Sequence, residues 1–171
     1  MADEDRIIFC GSFSTGLAAK IANNYIACSN MAIVAEAFAM GMANGVDRKV
    51  LFEAVRKSSG ASWVLENAQP VPGLVPGPAG NKYEVSFLMP MIIKDVSLGV
   101  EMANHGETPA KVGETVLELY KAANNDIRCK VSGHSEIKVT VHSTDTGLQD
   151  LDCTSVWLHV SDCKFDPEFQ K

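Results

Sequence analysis

The 171-residue chain has no excess of positive charge. Its formal net charge is -6 and no basic stripe runs through it, which argues against nucleic acid or an anionic membrane as the main partner. Metal-ligand spacing is also missing. Cys10, Cys28, Cys129, Cys153 and Cys163 are scattered, as are His105, His134, His142 and His159, so no metal is expected. The odd cysteine count suits a reduced intracellular compartment. The opening MADEDRIIFCG lacks a basic n-region and a long apolar core, and so reads as neither a signal peptide nor an Arg-rich transit peptide. Strand-forming sequence is scarce. Arg6 to Cys10 (RIIFC) reads as a short buried strand, but no convincing second strand follows for over a hundred residues, and a lone strand is unstable. No internal repeat is present.

What the chain has in abundance is helical pattern. Thr15 to Gly45 is one alanine-rich stretch, about 45 Å long if helical, that Ser14 or Thr15 can cap and that Gly41, Asn44 and Gly45 end. Tyr25 to Met42 is apolar enough to resemble a membrane span. However, Asn23, Asn24, Asn30 and Glu36 lie within or beside it, and its small residues suit close packing in a core. Further helices are expected over Arg48 to Ser58, over Val85 to Asn104 with Pro90 in the first turn, and over Ala110 to Asn124 behind Thr108-Pro109. Pro70 to Gly80 (PVPGLVPGPAG) is a loop long enough to be functional or to wrap a neighbour. Val131 to Thr146 turns polar and β-prone, with alternation at Ile137, Val139 and Val141. Leu148 to Val160 returns to a helical pattern.

Four blocks, TGLAAKIANN, VRKSSGASWVLENAQPVPG, FLMPMIIKDVSLGVEMA and PAKVGETVLELYKAA, resemble in order and spacing the C-terminal domain of the β-hydroxyacid dehydrogenases, and among these the 3-hydroxyisobutyrate dehydrogenase subgroup. The resemblance covers Arg6 to Asn125. Its most specific parts are the G-x-x-x-K-x-x-N-N pattern at Gly16, Lys20, Asn23 and Asn24, and the pair Lys94-Asp95. It implies an all-α fold: a helical bundle of the 6-phosphogluconate dehydrogenase C-terminal type, built on one long N-terminal helix with a remnant strand before it. The expected division is residues 1–13 as the remnant of a missing Rossmann domain and its linker, 14–125 as a helical catalytic and dimerisation domain, 126–149 as an irregular insertion, and 150–171 as the last helix and tail. Val131 to Gln149 has no counterpart in the family and reads as an insertion or a translated intron.

The resemblance also assigns roles. Lys20 matches the catalytic lysine, Asn24 the substrate-binding asparagine, Gly16 a substrate-side position and Lys94 a cofactor-closing lysine; the implied cofactor is NAD. A lysine near a helix N-terminus feels the positive end of the helix dipole, and burial pushes it the same way, so it can exchange a proton near neutral pH. Asn24, four residues on, shares its face. The implied partners are a short 3-hydroxy acid and a second copy of the chain, as dimer or tetramer, and the implied compartment is mitochondrial, otherwise cytoplasmic. Alternatives are a non-catalytic dimerisation module, or a related dehydrogenase for a tartronate or succinic semialdehyde partner. One departure is local: the family usually has glycine two positions before Gly16, and here it is Ser14.

Overall fold

α1 (Thr15–Ala43) determines the architecture, because it touches every other helix. The computed structural model describes residues 7–132 and 148–162. Around α1 lie α2 (Arg48–Arg56), α3 (Trp63–Asn67), α4 (Met89–His105), α5 (Lys111–Asn125) and α6 (Val156–Val160), with single 3-10 turns at Pro78–Asn81, Ile127–Cys129 and Cys153–Ser155. The helix is long and apolar enough to cross a membrane by length and composition. Here its C-terminal half is core instead: Cys28, Met31, Ala32, Val34, Ala35 and Phe38 are buried. Its first turns project from that core with Leu17 60% exposed, and Phe13 just before them is fully exposed.

Local chemistry explains most of the boundaries. The Asp47 carboxylate accepts from the backbone N–H of Lys49 and Val50 and starts α2, and Ser62 does the same for Leu65 in α3. Asn44 and Gly45, the latter at φ +87°, end α1. Pro90 sits in the first turn of α4, where its missing N–H costs nothing. The start of α1 differs from expectation. Ser14 is the residue before the helix, but its side chain makes no capping hydrogen bond, and it sits at φ +74°, ψ -17°. The Thr15 hydroxyl instead donates to the Ser12 carbonyl at 2.6 Å.

The segment 152–160 is held to this core by two polar devices. Asp152 is 1% exposed. One of its oxygens accepts from the Ser86 N–H (3.0 Å), the Ser86 hydroxyl (3.0 Å) and the Phe87 N–H (2.8 Å), and the other from the N–H (3.0 Å) and hydroxyl (2.8 Å) of Thr154. Asp126, just past α5, accepts from the Arg128 guanidinium and lies 2.8 Å from Nδ1 of His159 on α6. The Arg128 hydrogen bonds in the first place hold its carboxyl well below the usual carboxylate range. Between these anchors α6 buries Val156, Trp157 and Leu158 completely.

Two expectations are corrected here. The fold is not all-α, because β1 (Lys130–Ser132) and β2 (Leu148–Asp150) pair antiparallel with Lys130 opposite Asp150. Accordingly Leu148 begins a strand, and the last helix starts only at Val156. The remnant strand is not found among the described residues: residues 7–10 have no ladder partner there and form no strand, and Ile7, Ile8 and Phe9 are 71–90% exposed. Backbone groups without a sheet to pair with cannot build one. The alternation at Ile137, Val139 and Val141 lies outside the described residues.

Candidate active site

The helical repeat places Gly16, Lys20 and Asn24 in a row along the projecting half of α1, one turn apart. Nothing lies within 4 Å of where a side chain on Gly16 would begin. Lys20 is exposed and has no hydrogen bond or ion pair among the described residues, so the burial expected to act on it is not supplied there. Asn24 is half-buried, and its amide donates to Oδ2 of Asp95 on α4 at 2.9 Å. The other carboxylate oxygen of Asp95 lies 3.2 Å from Nζ of Lys94, which is 61% exposed. Asp95 therefore joins two of the four expected residues, Asn24 and Lys94, and leaves Gly16 and Lys20 unconnected to them.

Asn24 and Asp95 sit at the wall of a cavity of about 260 Å3. Its remaining lining is apolar or sulfur-bearing, with Met31, Trp63, Phe87 and Ile92 among it, and holds no cation. An apolar group can occupy it, whereas an anion would find no cation among its lining residues. Cys28 and Cys153 also line it. Burial, and secondarily the Asp95 charge, pushes the Cys28 thiol up to about 12; burial raises Cys153 too, and its sulfur lies 3.7 Å from that of Met31. Neither forms a thiolate nucleophile near neutral pH. Asp95 received no role from the sequence. Its place beside Lys94 was the available signal, and its reach to α1 is a tertiary contact that spacing does not encode.

Among the described residues no cradle for a dinucleotide's pyrophosphate is found. The Gly-rich loop between α3 and α4 opens a hollow lined by Gly73, Gly77 and Asn81. It feeds only a four-residue 3-10 turn with proline at its start. It therefore lacks the row of free N–H groups and the helix dipole that hold a pyrophosphate.

Residues 14–139 match the family described as NAD-binding of NADP-dependent 3-hydroxyisobutyrate dehydrogenase. The mitochondrial 3-hydroxyisobutyrate dehydrogenase of Mus musculus is 34% identical over 116 residues, 67% of this chain and 35% of that protein. An NAD-dependent L-serine dehydrogenase of Pseudomonas aeruginosa is 37% identical over 116 residues, 67% of this chain and 39% of that protein. Among solved structures, the Mycobacterium tuberculosis 3-hydroxyisobutyrate dehydrogenase with L-serine superposes with a TM-score of 0.72 at 26% identity, covering 90% of this chain and 46% of the other. The chain belongs to the β-hydroxyacid dehydrogenase family, a family of NAD-linked oxidoreductases. It spans little more than a third of the length of the curated relatives it matches. The match also completes the correction of the fold class. The matched unit is described as NAD-binding, and the superposed structure is a whole dehydrogenase chain, so the all-α bundle is not the right fold class.

Proposed function

We propose that this chain carries the proton-transfer and substrate-holding wall of an NAD-dependent 3-hydroxyisobutyrate-type dehydrogenase, which oxidises a short 3-hydroxy acid to its semialdehyde. The observation that carries the reading is the row Gly16, Lys20, Asn24 at the start of α1, with Asn24 bonded to Asp95 at a small apolar cavity. Lys20 takes the hydroxyl proton as the alcohol is oxidised and returns it in the reverse direction. Asn24, held by Asp95 through one amide hydrogen, donates the other to the substrate hydroxyl oxygen, and Gly16 leaves room for the carboxylate beside Lys20. The cavity takes the alkyl substituent. When bound, the nicotinamide accepts the hydride; Lys94 contacts the cofactor from α4. In this reading the substrate acid belongs to valine breakdown, the protein acts in mitochondria as its mammalian relatives do, and the functional unit is a homodimer or tetramer. Alone, the chain does not turn over, because the described residues offer no pyrophosphate cradle.

The test joins this chain behind the nucleotide-binding part of the mouse relative and follows NADH formation from 3-hydroxyisobutyrate. Turnover is expected, and Lys20→Ala should lower kcat by about 10^2- to 10^4-fold. A Lys20→Ala chimera as fast as its parent would refute the assignment.

A further inference from the structure

We propose that Tyr25 is a positioning residue for Asn24: its ring, seated in a notch between Gly99 of α4 and Gly113 of α5, sets the helix spacing at which Asn24 reaches Asp95. The notch is tight. A β-carbon on Gly99 would lie 2.4 Å from Cδ2 of Tyr25, and one on Gly113 would lie 2.3 Å from Cε2 and 2.6 Å from the hydroxyl oxygen. Contacts that short do not occur, so a larger residue at either glycine must displace the ring or the helix that carries it. The geometry links this packing to the site by two adjacent rungs between the same helices. Tyr25 follows Asn24 on α1, and Gly99 lies one turn after Asp95 on α4. Asn24 and Asp95 face the 260 Å3 cavity, while Tyr25 and Gly99 face a second one of about 470 Å3. A hydrogen bond of 2.9 Å tolerates only a few tenths of an ångström of separation before it weakens. The ring therefore acts as a spacer, and it controls the orientation of the amide next to it.

The proposal concerns the Asn24–Asp95 bond; its bearing on catalysis rests on the reading of Asn24 as the substrate-holding residue. The test measures hydrogen exchange of the Asn24 side-chain amide by NMR in the full chain. Gly99→Ala should speed that exchange about five-fold or more, and the double variant Tyr25→Leu/Gly99→Ala, which trades ring for methyl, should return it to within about two-fold of the parent. Tyr25→Phe should leave it unchanged. An unmoved amide in Gly99→Ala, or a double variant no closer to the parent than Gly99→Ala, overturns the proposal. If Gly99→Ala does not fold, Tyr25→Leu alone decides, since it adds no clash: faster exchange supports the spacer role and unchanged exchange refutes it. A general loss of packing would lower Tm in both single variants without recovery in the pair. Titration with 3-hydroxyisobutyrate separates the two claims, because an Asn24 amide that ignores it counts against the substrate reading alone.

Discussion

Replacing Asp152 by alanine should destabilise the protein by about 2–4 kcal/mol, a figure that follows from which of its donors can find water afterwards. Five N–H and O–H donors converge on this carboxylate. Ser86 is exposed, so its N–H and hydroxyl can turn to solvent at little cost. Thr154 is 3% exposed and Phe87 is half-buried, so those donors remain partly or wholly orphaned. Each buried orphan costs about 1–3 kcal/mol, and the loss of a favourable bond to a charged acceptor adds to it. Asp152→Asn should fall between, since its amide nitrogen would point a donor at donors. Urea unfolding is the assay: the midpoint should fall at unchanged slope. A loss under about 1 kcal/mol would show that the segment before α4 is held by the backbone bonds Asp152 N–H to Tyr83 O and Cys153 N–H to Phe87 O, and that the carboxylate contributes little. Phe87 also lines the cavity, so the variant should additionally loosen that wall.

Two further outcomes can be checked. Ser14→Gly should stabilise the fold by about 0.5–1 kcal/mol in urea unfolding, because Ser14 sits at φ +74° without using its hydroxyl as a cap; a loss of stability would mean that the hydroxyl is needed. Stability should also fall in acid through Asp126. Its folded pKa is depressed, chiefly by the Arg128 hydrogen bonds, so its contribution is fully present above the ordinary carboxylate value of about 4 and is lost as pH drops through the folded value. Asp126→Asn should therefore flatten the decline of the urea midpoint between pH 5 and pH 2, and parallel declines would refute this.

The sequence was most legible where the cause is local. α1 was expected over Thr15 to Gly45 and runs Thr15–Ala43, because a long alanine-rich run and a closing Asn-Gly need no partner to be read. α4 was expected from Val85 but starts at Met89. The N–H groups of Ser86 and Phe87 are taken by Asp152, 65 or 66 residues away, and no periodicity reports that. Leu148 was assigned to a helix and pairs instead with Ser132, again a partner distant in sequence. At the site, the row Gly16, Lys20, Asn24 was visible as spacing. Its connection through Asp95 was not, because the carboxylate bridges two helices 71 residues apart.

The chain contains two tryptophans, and the fold places them in opposite surroundings. Trp63 is 71% exposed at the cavity wall, and Trp157 is 0% exposed within α6. Their emission should therefore separate by colour, red for the wet indole and blue for the dry one. Quenching by iodide would reach Trp63 alone. Intrinsic fluorescence then resolves into two independent channels, one watching ligand entry at the cavity and the other watching the C-terminal helix leave the core, without any label being added.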